Sequence, residues 1–219
     1  MSIIPDCYIP PLRFNSIQPN LYRGAYPRSP NFNFLATLNL QTIISLTPEP
    51  ITPATDPQLH AWAQSNQIRL IHLECASGGK GKKRSTPLDY DTAIHALNII
   101  IHQSNSPIFI HCLNGGQITS LLVACLRKLQ FWSAISIFNE FINFTTNITV
   151  NDRLFVENFG GVVEINYDDK VPWLWVGVSK HLVNSHPKLK VRDVSSINSR
   201  KKADERISTE EEMVDPLDE

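Results

Sequence analysis

A cysteine at the end of an apolar run, followed by two glycines and a hydroxyl residue, is the most chemically suggestive pattern in the chain. It lies in PIFIHCLNGGQITS, from Pro107 to Ser120. These residue types in this order suit attack of a thiolate on phosphorus. That reaction asks three things of its surroundings. The thiol pKa must fall, which a helix N-terminus and a ring of backbone N–H groups can achieve. The phosphoryl oxygens need donors arranged around the nucleophile, which a tight glycine-containing loop provides. The equatorial charge needs a planar, bidentate cation, and arginine fits that role. Cys112 with His111 before it, Gly115 and Gly116 in the curl and Thr119 at the start of a helix meet the first two demands. The third is unmet, because the sixth residue after Cys112 is Ile118. Loss of one preorganised oxyanion donor costs ~10²–10³ in turnover, and a charged clamp counts for more. The backbone and side chains of Leu113, Asn114, Gly115, Gly116, Gln117, Ile118 and Thr119 are therefore the candidate lining of an anion site, with Cys112 as its nucleophile.

Such a loop has to be carried by a scaffold, and the flanking sequence supplies one. LYRGAYP (21–27) reads as a short strand into a turn, QTIISLTPE (41–49) as a buried β-branched strand stopped by Pro48, and IRLIHLE (68–74) as another strand. PIFIH (107–111) is a further core strand. Between them, NFNFLATLN (31–39) suits a short helix capped by Asn31 or Asn33. DPQLHAWAQSN (56–66) opens with Asp and then Pro, the order that starts helices. TPLDYDTAIHALNIIIHQ (86–103) reads as a helix with Leu88, Ile94, Leu97 and Ile101 on one face. More helices are expected from about Thr119, at 133–144 and at 151–159. Strands alternating with helices predict an α/β fold with a mostly parallel central sheet and helices on both faces. Ligand sites in such sheets lie beyond the carboxyl ends of the strands, where His111 and Cys112 stand.

The expected organisation is a phosphatase-like domain over 1–160, an ordered extension over 161–190 and a charged, disordered tail over 191–219. From Arg192 onward the tail holds 5 basic and 9 acidic residues, so it carries −4 of the overall −1 and leaves +3 to the rest. Trp173 and Trp175 are expected to seal the extension onto the domain. The 42% hydrophobic content and 19% charge describe an ordinary globular chain, and the near-zero net charge gives no reason to expect a nucleic-acid partner. The four cysteines are widely spaced without a CxxC pair, so neither a zinc site nor another metal or cofactor is expected. Cys75 and Cys125 read as buried small hydrophobes. No apolar run approaches the ~20 residues that cross a bilayer, and MSIIPDCYIPP lacks the basic start of an export signal. A cytoplasmic, reduced protein without a membrane partner is expected.

The resemblance to a family rests on more than the loop. IPPLRFNSIQPNLYRGAYPRSPNFNFLATLNLQTIISLTPE (9–49), the loop itself and CLRKLQFWSAISIFNEFINF (125–144) resemble the plant-and-fungal atypical dual-specificity phosphatases. Among these the chain is most similar to the short fungal oxidant-induced cell-cycle arrest proteins. The resemblance implies the cysteine-phosphatase fold, a phosphocysteine role for Cys112, support from His111, and the loop-glycine and post-arginine hydroxyl roles for Gly115 and Thr119. It also implies that Ile118 stands in the arginine's place. The Lys-Glu-Pro-type segment of active relatives is absent from ASGGKGKKRSTPLDYD (76–91). Asp89 and Asp91 are the nearest candidates for a general acid, but their favoured role is as first-turn helix carboxylates.

Lys80, Lys82, Lys83 and Arg84, set among Gly78, Gly79 and Gly81, follow the IRLIHLE strand and so leave the sheet on the same edge as Cys112. They read either as a solvated basic turn or as mobile cations for a phosphoprotein or inositol polyphosphate. Lysine would bring point charge without arginine's planar fork. Two functional readings follow. One is a phosphate-binding pseudophosphatase acting in a complex with related phosphatase-like proteins. The other is a cysteine phosphatase acting on phosphotyrosine or inositol (pyro)phosphates.

Overall fold

The computed structural model of the chain describes residues 7–75 and 86–195. Its centre is a five-stranded sheet in the order β1-β2-β5-β3-β4, built from β1 (Asn15–Gln18), β2 (Leu21–Ala25), β3 (Thr42–Thr47), β4 (Arg69–Glu74) and β5 (Ile108–Cys112). β2, β5, β3 and β4 run parallel, and only β1 pairs antiparallel, through a tight turn in which Asn20 takes φ 61°. β3 and β5 are buried at every position, as expected of central strands covered on both faces. Alternation along them divides the core. Ile43 and Phe109 face α1 (Phe32–Ala36) and α2 (Pro57–Ser65), together with Leu35 and Ala63. Ile44, Leu46, Ile108, Ile110 and Cys112 face the other side, against α3 (Tyr90–Ile100), α4 (Gln117–Leu129), α5 (Ala134–Ile142) and α6 (Val150–Asn158). Each fully buried Ile or Leu contributes about 1.5–3 kcal/mol relative to exposure.

The α/β class, the mostly parallel sheet and the two helical layers follow the sequence expectation. Asp56 caps α2 by accepting from the Leu59 N–H at 3.0 Å, with Pro57 in the first turn. Several elements differ in extent: α3 covers Tyr90–Ile100 of the expected 86–103, leaving Leu88 and Ile101 outside it, and α1 covers Phe32–Ala36 of the expected 31–39. α4 begins at Gln117 rather than near Thr119, because the chain enters the helix directly from Gly116. β1 was not foreseen: NSIQ is a polar edge strand in which only Ile17 is buried.

Beyond Gly160 the chain adds a small parallel pair, β6 (Gly161–Ile165) and β7 (Leu189–Asp193), joined through α7 (Lys180–Asn184). Val163, Ile165 and Leu189 join the main core, and β6 is held to α3 by the Glu164 N–H donating to Asn98 Oδ1 at 3.0 Å. Trp175 Nε1 donates to the Leu129 carbonyl at 2.8 Å, and both tryptophans pack on the core. β7 includes Val191–Asp193, so regular structure continues past the point where the sequence pattern turns tail-like. Among the described residues no helix is long and apolar enough to cross a membrane.

Candidate functional site

The order of the sheet places β5 between β2 and β3, with Ala25 and Leu46 beside Cys112 in register. The thiol therefore stands at the middle of the sheet's carboxyl edge, 1% exposed. Behind it, His111 is fully buried, with Nε2 hydrogen-bonded to the Ser45 hydroxyl at 2.8 Å and its ring meeting Tyr26 edge-on. Burial lowers the His111 pKa from 6.5 to about 3, so the imidazole is neutral and supports the strand end without adding charge.

From Cys112 the chain turns through Leu113, Asn114, Gly115 and Gly116 into α4. Gly115 has φ +66°, and a Cβ there would lie 2.6 Å from Ala25 N and Gly24 C, so only glycine fits. Three successive carbonyls of the loop are bound from outside it. Leu113 O accepts from the Tyr26 N–H (3.4 Å), Asn114 O from Arg13 Nη1 (2.8 Å) and Gly115 O from Arg23 Nη2 (2.9 Å). In a trans peptide the next N–H points opposite to each carbonyl. The N–H groups of Asn114, Gly115 and Gly116 are thereby turned away from those partners, in the manner of an anion-binding nest. The amino end of α4 follows at once and has no acidic residue in its first turn.

The loop is filled by its own side chain. Asn114 Oδ1 accepts from the Gly116 N–H at 2.8 Å and from the Cys112 thiol at 3.6 Å. A carboxamide oxygen thus engages one N–H of the loop and the thiol together. Gln117 is exposed and donates from Nε2 to Asp152 Oδ1 at 2.7 Å. Asp152 is itself buried and closes a capping box with Thr149 at the start of α6. Ile118, in the first turn of α4, is half-buried and packs against the core. The Thr119 hydroxyl is fully buried without a hydrogen-bond partner among the described residues, so it makes no bond to the thiol.

The structure thus gathers Leu113, Asn114, Gly115 and Gly116 into a loop after Cys112 and puts Gln117, Ile118 and Thr119 in the first turn of α4, where Ile118 and Thr119 turn to the core instead of lining the loop as expected. Lys80, Lys82 and Lys83 lie outside the described residues, as does Arg84. Asp89 is the N-cap of α3, accepting from the Thr92 N–H at 2.7 Å and the Thr92 hydroxyl at 3.0 Å, and Asp91 stands in that first turn. Both occupy the helix-start role favoured from sequence. Cys75 is buried, which pushes its thiol up to about 12, and Cys125 is buried and pushed up too, so both are inert thiols at neutral pH. Among the described residues no cluster of His, Cys, Asp or Glu side chains is placed to hold a metal.

Sequence reasoning missed Arg13, Arg23, Ser45 and Asp152. A signal existed for Arg23. It alternates with Leu21 and Ala25 on the core face of its strand, where an arginine is rarely buried without a reason.

Comparison with known proteins agrees with this geometry. The profile of the tyrosine phosphatase family matches residues 8–177. The chain is 39% identical over 201 residues to the Saccharomyces cerevisiae protein named "Putative tyrosine-protein phosphatase OCA6", covering 86% of this chain and 89% of that one. It is 39% identical over 137 residues to the inositol diphosphatase DSP3 of Arabidopsis thaliana, covering 62% and 64%. The crystal structure of the core catalytic domain of the S. cerevisiae PP-IP phosphatase SIW14, in complex with citrate, superposes with a TM-score of 0.61 at 30% identity, covering 69% of this chain and 87% of that one.

Proposed function

The chain belongs to the tyrosine phosphatase family, and from that premise we propose that it is a member whose loop binds phosphate-bearing ligands with little or no turnover, serving as a binding or regulatory subunit. The observation that carries this reading is Ile118. In the first turn of α4, where a cationic clamp would meet the equatorial oxygens, the chain has an alkyl group packed on the core. No fork of N–H donors reaches a transferring phosphoryl group from that position, and positioning plus electrostatics supply almost all of the catalysis of phosphoryl transfer. The two aspartates nearest the loop in sequence serve α3, which leaves the leaving group without an assigned acid. Relatives named as an inositol diphosphatase and a PP-IP phosphatase make inositol pyrophosphates the first ligand class to test. The proposal places the protein in the cytosol, in a complex with related phosphatase-like proteins.

A second reading has its own support. The buried thiol at the strand end, the positive-φ glycine and the externally pinned carbonyls are what a phosphocysteine mechanism needs from a loop. On that reading the Cys112 thiolate attacks phosphorus of phosphotyrosine or an inositol (pyro)phosphate and breaks the P–O bond, and the departing phenol, inositol or inositol phosphate oxygen takes a proton from solvent. Water then cleaves the S–P bond to release inorganic phosphate and restore the thiol. Hydrolysis of an aryl phosphate and of inositol pyrophosphates by wild type, Cys112→Ser and Ile118→Arg separates the two. The binding reading expects wild type to match Cys112→Ser and Ile118→Arg to gain turnover. Wild-type turnover that disappears in Cys112→Ser overturns it in favour of the second reading.

A further inference from the structure

Arg23 is a buried charge without a carboxylate partner among the described residues. It is 2% exposed, and its Nη2 donates both to Gly115 O at 2.9 Å and to the Ser120 hydroxyl at 2.8 Å. The guanidinium therefore sits beneath the loop and against the first turn of α4. The Phe144 ring covers it, with its centroid 3.7 Å from Cζ. Nε and Nη1 are buried and have no hydrogen-bond partner among the described residues. The carboxylate whose charge acts most on it, Glu140 of α5, is engaged elsewhere: both its oxygens are held at 2.7 Å by Nε and Nη2 of Arg127 in α4. Arg13, on the preceding segment, and Arg127 both repel it.

An unpaired buried cation is costly, and its position at the positive end of a helix raises that cost. Burial lowers the Arg23 pKa from 12.5 to about 10, so it remains charged at neutral pH, and a charge on Cys112 acts to raise it again. The loop, the helix end, Arg13 and Arg23 together form a positive surrounding whose natural complement is an anion above Gly115.

We propose that Arg23 is the counter-charge of the loop, supplying from beneath the positive charge for a bound oxyanion of the phosphate class that Ile118 cannot supply from within. Arg23 acts through the loop it holds and does not touch the ligand, so it is a positioning residue. The inference rests on the reading of the loop as an anion site. It accounts for how that site keeps its charge after losing the clamp.

The test titrates inorganic phosphate into the full chain at constant ionic strength, for wild type, Arg23→Lys, Arg23→Gln and Ser120→Ala. A second readout follows the Cys112 thiolate by ultraviolet absorbance against pH, as a difference from Cys112→Ser. The expected result is binding by Arg23→Lys at least about tenfold tighter than by Arg23→Gln, the scale of one unit charge acting across a few ångströms of protein. The thiolate midpoint should rise in Arg23→Gln and stay near wild type in Arg23→Lys. Ser120→Ala, which removes a bond and leaves the charge, should bind phosphate like wild type. Equal affinity and equal midpoints for the Lys and Gln variants would overturn the proposal. If neither Arg23 variant folds, Ser120→Ala still decides, and loss of its binding would show that Arg23 only holds the loop in shape. A wild type that binds no phosphate removes the anion-site reading itself, an outcome distinct from equal binding by wild type and Arg23→Gln.

Discussion

Replacing Asn114 by alanine should open the loop. In the wild type its Oδ1 holds the Gly116 N–H at 2.8 Å and takes a weaker bond from the Cys112 thiol at 3.6 Å. An incoming phosphate oxygen needs the same N–H, so binding must first expel the carboxamide. The neutral N–H bond has a net value of about 0.5–1.5 kcal/mol, and the thiol adds little. Taking about 1 kcal/mol, the filled state lowers apparent affinity about fivefold, and Asn114→Ala should recover that factor. A phosphate oxygen forms a charge-assisted bond to the freed donor, roughly twice as strong as the neutral one, so the emptied nest remains attractive to the anion. The apo protein should lose about the same 1 kcal/mol, a fall in melting temperature of about 2–4 °C for a domain of this size. Calorimetric titration with inorganic phosphate and a melting curve measure the two effects together. Unchanged or weaker phosphate affinity, in a variant that still folds, would refute the idea that Asn114 competes with the ligand. It would mean instead that the side chain organises the loop for binding.

Two further outcomes follow from the same geometry. Gly115→Ala places a Cβ 2.6 Å from two backbone atoms at a φ of +66°, and should destabilise by about 2–5 kcal/mol from strain and overpacking together; denaturant unfolding that shows less than 1 kcal/mol contradicts the fit. His111 has its pKa lowered to about 3 in the folded state against 6.5 unfolded, so the unfolded chain binds the extra proton between those values. Stability is then fully present above about pH 6.5 and falls as the pH drops towards 3, by up to about 1.4 kcal/mol per unit. Unfolding free energies measured across pH 4–6 should lose that slope in His111→Gln, and an unchanged slope would refute the assignment.

Much of this scaffold could be read from residues alone. The β-branched runs of β3 and β5 and the Asp-Pro start of α2 each carry a local physical reason strong enough to survive into the fold. So does the position of Cys112, because an apolar strand followed by glycines fixes both the element and its end. What was illegible is what depends on distant pairing. β1 has too little apolar surface to announce itself and exists because β2 offers it an edge. β6 and β7 are short, half-buried strands, more than twenty residues apart, whose partners are each other and α3. Ile118 could be located as the missing clamp, but its turn towards the core could not. Arg13 reaches the loop from about a hundred residues away in sequence with nothing in its neighbourhood to say so, and the alternation that marks Arg23 as buried does not name the distant carbonyl it serves.

That distance has a consequence for how such a loop changes over time. Its form is imposed by Tyr26, Arg13 and Arg23 acting on three carbonyls, and by a glycine wedged against β2, none of which involves position 118. The contacts that shape the loop and the position where a clamp would stand are therefore separate residues of one short segment. Natural selection acting on the fold alone would preserve the glycine and the distant arginines indefinitely while leaving the clamp position free to drift, and an aliphatic residue that finds the core there would even be favoured. A chain with this division of labour can exchange the residue at position 118 without giving up its fold.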